Sequence, residues 1–144
     1  MSGLRFGTAI TCIDGRVHRP VILWMRSRYG LDFVDVVSEM GPDKLLADGW
    51  PGEIAPVRTK VGFSVKVHAS LLIAVSGHHD CAGNPATKEE HLAQIREGVR
   101  QARSWGFAAD VIGLWVNDQW QIEVIEPPLH MQPAEPSLDG SRSS

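Results

Sequence analysis

Two short apolar runs, residues 4–11 and 71–75, each pass directly into a turn that carries metal-ligating side chains. The first turn reads Cys12-Ile13-Asp14-Gly15-Arg16, and the second reads Gly77-His78-His79-Asp80-Cys81. Apolar runs of this length, bounded by Gly and Asp, read as buried strands. Each strand then delivers its polar residues at its carboxyl end. If the two strands are neighbours in one sheet, Cys12 converges with His78 and Cys81. That requirement constrains the fold more than any other feature of the chain.

The remaining pattern alternates between strand and helix. Residues 17–29 carry Val17, Val21, Trp24 and Met25 at helical spacing, with Pro20 suited to a first turn and Gly30 to a stop. Residues 33–37 read as a second strand. The stretch 38–62 is rich in Gly, Pro and Asp and reads mostly as loop, with a helical turn near Leu45. A short helix over 65–70 leads into the strand at 71–75. Thr87 and Glu90 have capping-box spacing, and Leu92, Ile95, Val99 and Ala102 then form one apolar stripe. That helix ends at Trp105-Gly106. Residues 111–116 read as a fourth strand. Asn117-Asp118 makes a tight turn, and 120–125 returns as an antiparallel fifth strand.

Such an order predicts an α/β fold: a mostly parallel central sheet with an antiparallel edge strand and helices on both faces. In such sheets ligands bind beyond the carboxyl ends of the strands. Residues 1–126 form the expected single domain, and the Pro- and Ser-rich stretch 127–144 reads as a disordered or loosely draped tail. No internal repeat is visible.

The chain has 144 residues, 43% of them hydrophobic and 22% charged, which is ordinary for a soluble domain with one core. A net charge of −3 gives no electrostatic case for nucleic acid or an acidic membrane. No apolar run is long enough to span a bilayer. The start lacks the basic and apolar segments of a secretory signal, so the expected location is cytoplasmic.

In a reducing compartment, two cysteines far apart in sequence point to a metal or to catalysis. Two thiolates and one imidazole, from Cys12, Cys81 and His78, suit Zn2+. Three protein ligands leave a fourth position for water or for a carboxylate, and Asp14 is two residues from Cys12. A disulfide would leave the adjoining Asp, Arg and His unexplained. Taken singly, these residues have plainer readings. Cys12 would be a small buried hydrophobe, and Asp14 with Arg16 a structural ion pair. His79 reads as a turn residue with proton shuttling as the alternative, and Asp80 as a turn acceptor or a partner to a ligand. His18, His68, His91 and His130 read as ordinary surface or helix histidines. The five tryptophans read as core or subunit contacts, and Arg96, Arg100 and Arg103 as a solvated helix face.

Cys-x-Asp-x-Arg followed by Gly-His-x-x-Cys is similar to the motif pair of beta-class carbonic anhydrases. The resemblance runs from about Phe6 to Ile125 and takes in Tyr29-Gly30-Leu31-Asp32-Phe33-Val34 and Gly113-Leu114-Trp115-Val116. It implies that Cys12, His78 and Cys81 hold zinc and that Asp14 and Arg16 are the catalytic dyad. It also implies reversible hydration of carbon dioxide to bicarbonate by a zinc-bound hydroxide. The expected assembly is a homodimer or higher homo-oligomer, with no nucleic-acid or membrane partner. The chain departs from the family where Ser38-Glu39-Met40-Gly41-Pro42 stands in place of Arg-Asn-Ala-Gly-Asn, and where Ala82 follows Cys81. Both departures bear on the pocket wall. Two other readings therefore stand beside the first: a carbonyl sulfide or carbon disulfide hydrolase on the same zinc, and a non-catalytic zinc-binding module.

Overall fold

The computed structural model describes residues 3–135. Five strands form one sheet in the order β2-β1-β3-β4-β5. The strands are β1 (Phe6–Cys12), β2 (Phe33–Glu39), β3 (Leu72–His78), β4 (Asp110–Val116) and β5 (Ile122–Glu126). The first four are mutually parallel, and β5 runs antiparallel to β4 at the edge. Four helices connect them: α1 (Gly15–Tyr29), α2 (Pro42–Asp48), α3 (Pro51–His68) and α4 (Lys88–Ser104).

The sheet separates two apolar layers. On one face, Val17, Val21, Met25 and Tyr29 of α1 pack on Leu72, Ala74, Ile112 and Leu114. On the other, Leu46, Val57, Val61, Val99 and Ala102 from α2, α3 and α4 pack on Ile10, Ile73 and Val75. β1 and β3 are buried along their whole length. That is why they read as unbroken apolar runs rather than as alternating ones.

The connections explain where a site can form. The chain leaves β1 toward β2, and leaves β3 toward β4, in the opposite direction across the sheet. Right-handed crossovers therefore put α1 on one face and α4 on the other. The loops at the carboxyl ends of β1 and β3 diverge, and the gap between them is the topological switch point.

Local signals account for several helix ends. Asp14 caps α1 through its side chain, and Gly30 closes that helix at φ 64°. Thr87 and Glu90 make the reciprocal capping box that opens α4. Between residues 38 and 70 the structure differs from the loop-rich reading. Two helices occupy that stretch, and α3 is 18 residues long. Its inner face buries Ile54, Val57 and Val61, while its outer face exposes Phe63 and Val67. Apolar side chains on both faces cancel the periodic signal, and Pro51, Gly52, Pro56 and Gly62 mimic a loop. Pro51 stands at the helix start, where its missing N–H costs nothing.

The first part of the tail follows a fixed path rather than draping loosely. Asp110 opens β4, and its carboxylate accepts N–H bonds from Leu129, His130 and Met131 at 3.0, 2.7 and 2.8 Å. Ala134 N–H donates to the Arg28 carbonyl at 2.7 Å. The expectation for residues 136–144 lies outside the described residues.

Candidate metal centre

Cys12 is the last residue of β1, and His78 is the last residue of β3. Cys81 follows three residues later in the loop. Among the described residues, the ligand atoms of these three side chains lie within 4.8 Å of one another, and all three residues are buried. The two sulfurs are 3.9 Å apart. Two Zn–S bonds of about 2.3 Å at a tetrahedral angle set sulfurs about 3.8 Å apart, so the pair fits a zinc ion as it stands.

The imidazole points the same way. His78 Nδ1 lies 2.7 Å from the His79 carbonyl oxygen, which can only accept, so Nδ1 carries the proton of the neutral ring. Nε2 is left with its lone pair, buried and without a hydrogen-bond partner among the described residues. Burial, and then the Cys12 sulfur beside it, pushes the Cys81 thiol above its ordinary pKa. Bonds from the Asn84 and Gly83 N–H groups partly offset that rise. A cation among these three groups would satisfy the orphaned nitrogen and offset the cost of ionising the buried Cys81 thiol.

Asp14 and Arg16 stand at the rim. Arg16 grips the Asp14 carboxylate through Nη2 at 2.6 Å and Nε at 3.0 Å, and its backbone N–H adds a third bond at 2.9 Å. The side-chain bond, reinforced by the backbone bond, holds the Asp14 pKa well below the usual carboxylate range. Asp14 Oδ2 is 4.0 Å from His78 Nε2. The carboxylate thus lies beside the cluster while its charge is committed to Arg16. The other side of Arg16 is also occupied. Nη1 reaches Asp80 Oδ2 at 3.2 Å, Nη2 reaches the Asp80 carbonyl at 3.1 Å, and the Trp120 ring centre is 4.5 Å from the guanidinium carbon.

With that geometry in view, the comparisons with known proteins bear directly on the chain. The family model described as "Putative carbonic anhydrase" matches residues 2–126. The chain belongs to that family. No curated protein matches it. Among solved structures, it is similar to beta-carbonic anhydrase isoform I of the protozoan Trichomonas vaginalis, with 16% identity and a TM-score of 0.54. That match covers 83% of this chain and 81% of the other. It is also similar to tetrameric beta-carbonic anhydrases of the filamentous ascomycete Sordaria macrospora, with 13% identity and a TM-score of 0.55. There the match covers 89% of this chain and 84% of the other. At such identities the likeness is one of fold.

Within this carbonic anhydrase family member, Asp43 and His91 form a buried pair that the sequence reading missed. His91 Nδ1 lies 2.6 Å from Asp43 Oδ2, and the two side chains are 2% and 1% exposed, so His91 is no ordinary helix histidine. Asn84 Nδ2 donates to Asp43 Oδ1 at 3.1 Å and to Gln94 Oε1 at 2.7 Å. Asn84 N–H also bonds the Cys81 carbonyl at 3.3 Å, which ties the pair to the loop that carries a candidate ligand. A signal for His91 existed: it lies four residues before Ile95, on the same stripe of α4. Arg103 likewise leaves the solvated-face reading, since it donates to the Val111 and Pro127 carbonyls. Trp120 packs against the core, as expected of it, and also lies against Arg16 at the rim.

Proposed function

We propose that this protein is a zinc-dependent carbonic anhydrase, catalysing the reversible hydration of carbon dioxide to bicarbonate. One observation carries the reading: two sulfurs 3.9 Å apart and an orphaned imidazole nitrogen meet at the switch point of the sheet, beside a carboxylate fixed by an arginine. Family membership and the shared fold support it.

In this reading Cys12, His78 and Cys81 hold the metal, with the His79 carbonyl fixing the His78 tautomer. Zinc held there would supply a bound water acidic enough to ionise near neutral pH, the nucleophile that hydration of carbon dioxide needs. Asp14 is the acceptor that orients the attacking oxygen through its proton. It stays ionised for that task because Arg16 stabilises its charge. Arg16 also aims the carboxylate: its Nη2, Nε and backbone N–H all donate to Asp14 and leave it little freedom to turn inward and ligate the metal. The cytoplasm is the proposed location, in keeping with thiol ligands that a reducing compartment protects. Among the described residues no helix is long and apolar enough to cross a membrane.

We also propose a homo-oligomer. β2 is an edge strand, and Phe33 and Val36 on it, with Phe63 and Val67 on α3, are exposed apolar side chains. A second copy is a natural cover for such an edge. Sedimentation equilibrium is expected to give a multiple of 15.8 kDa; a monomer at micromolar concentration overturns this part.

The test of function is stopped-flow carbon dioxide hydration beside metal analysis. Zinc-loaded protein is expected to be active, and Asp14→Asn to keep its zinc and lose about 10²-fold or more of the rate. Full activity in Asp14→Asn sinks the role of Asp14. An inactive zinc-loaded oligomer that releases sulfide from carbonyl sulfide or carbon disulfide transfers the site to the hydrolase reading. Inactivity on every substrate supports the non-catalytic module.

A further inference from the structure

Trp120 is held in the left-handed backbone region, at φ 58°. A bulky aromatic residue is a poor occupant of that region, where Gly or Asn is the ordinary choice. The turn around it is firmly built. Asn117 Oδ1 accepts the N–H groups of Gln119 and Gln121 at 2.9 and 3.0 Å, and Trp120 N–H donates to the Asn117 carbonyl at 2.9 Å. The hairpin therefore sets this backbone conformation, and the indole is what Gly or Asn in the same turn would lack.

The indole touches the rim of the candidate metal centre. Its ring lies over the Arg16 guanidinium at 4.5 Å, a cation–π distance. Its centroid is 6.4 Å from the rings of both His78 and His79. Arg16 is thus confined by the Asp14 carboxylate, by Asp80 and by the Trp120 face. Asp80 contributes an ion pair from a side chain that is 70% exposed, which is worth little, and its backbone carbonyl, which accepts from Arg16 Nη2 at 3.1 Å. The aromatic face is partly buried and anchored by its turn, so it adds a wall against Arg16 that depends on neither carboxylate.

We propose that Trp120 is a positioning residue that keeps the fourth ligand position of the metal centre open. It does so by pinning Arg16, which in turn holds the Asp14 carboxylate away from the metal. The proposal rests on the metal reading of Cys12, His78 and Cys81. Without the indole, Arg16 gains freedom to leave Asp14, and the Asp14 carboxylate then occupies the fourth position in place of solvent. The backbone favours the experiment, since Trp120→Gly relieves the left-handed strain while it removes the ring.

The experiment loads the full chain with cobalt(II) and titrates it with azide, following the visible metal bands. Wild type is expected to bind cobalt and to take up azide. Trp120→Gly is expected to bind cobalt and to need at least tenfold more azide. Trp120→Phe, which keeps an aromatic face, is expected to stay near wild type. In the double variant Asp14→Ala with Trp120→Gly, the competing carboxylate is gone and azide binding is expected to return. Wild-type azide affinity in Trp120→Gly overturns the proposal and leaves the metal reading intact. So does a double variant that fails to recover. If wild type binds no cobalt, the metal reading itself fails, and the role of Trp120 fails with it.

Discussion

Asp43 and His91 are both ionisable, and both are closed to solvent. Each supplies the hydrogen-bond partner the other needs, because a buried polar group left without one costs free energy. Asp43 spends its remaining acceptor capacity on the Lys44 N–H at 3.0 Å and on Asn84. The pair also leaves no room behind it, since a Cβ on Gly77 would run into the Asp43 carboxylate. His91→Ala strands the carboxylate and is expected to destabilise the fold by about 3–5 kcal/mol, read by urea denaturation. A loss below about 1 kcal/mol would show that water reaches Asp43 and that the pair is incidental. The candidate ligands Cys12, His78 and Cys81 were legible one residue at a time, because each is a donor of distinctive chemistry at a strand end. His91 was legible only as a position on the α4 stripe, four residues before Ile95; its partner was not, because Asp43 lies 48 residues away.

Among the elements, those with one clear apolar face were easily read. α4 has its capping box and its stripe, and α1 has its cap and its glycine stop. α3 was not read, since it buries one face in the core and shows Phe63 and Val67 on another. The start of the tail was hidden for a different reason: its order comes from one side chain on another element. Asp110 collects three consecutive N–H groups from residues 129–131, besides that of Val111. Burial alone would raise its pKa, but those four bonds outweigh it, and the net shift is downward. A depressed carboxylate pKa stabilises above the unfolded value and is lost as pH falls through the folded one. The docking of residues 129–131 is therefore expected to hold at pH 5 and to fail only below the usual carboxylate range. Asp110→Asn is expected to speed amide hydrogen exchange at Leu129, His130 and Met131 at neutral pH, with α4 unaffected. Unchanged exchange at those amides would refute the anchoring role.

For the whole molecule, metal and fold are coupled. The three candidate ligands come from two strand ends 66 residues apart, Cys12 and His78, so an ion between them bridges the centre of the sheet. Ligand that binds only the folded state adds stability by mass action. Zinc is expected to raise the melting temperature, and a chelator to lower it by several degrees. Because burial raises the Cys81 pKa, the thiol is protonated before metal enters, and uptake releases protons to the solvent. A melting temperature indifferent to zinc and chelator, with no proton release, would count against the centre. By itself the sequence determined the alternation of strands and helices, the antiparallel return of β5, and the chemistry of the donors. These follow from short-range periodicity and from side-chain type. Only the tertiary structure decided that β1 and β3 are neighbours, that Asp43 meets His91, and that Trp120 lies over Arg16. Those are contacts between segments distant in the chain. They depend on the hand of the crossovers and on which faces remain to be covered, and no local pattern encodes either.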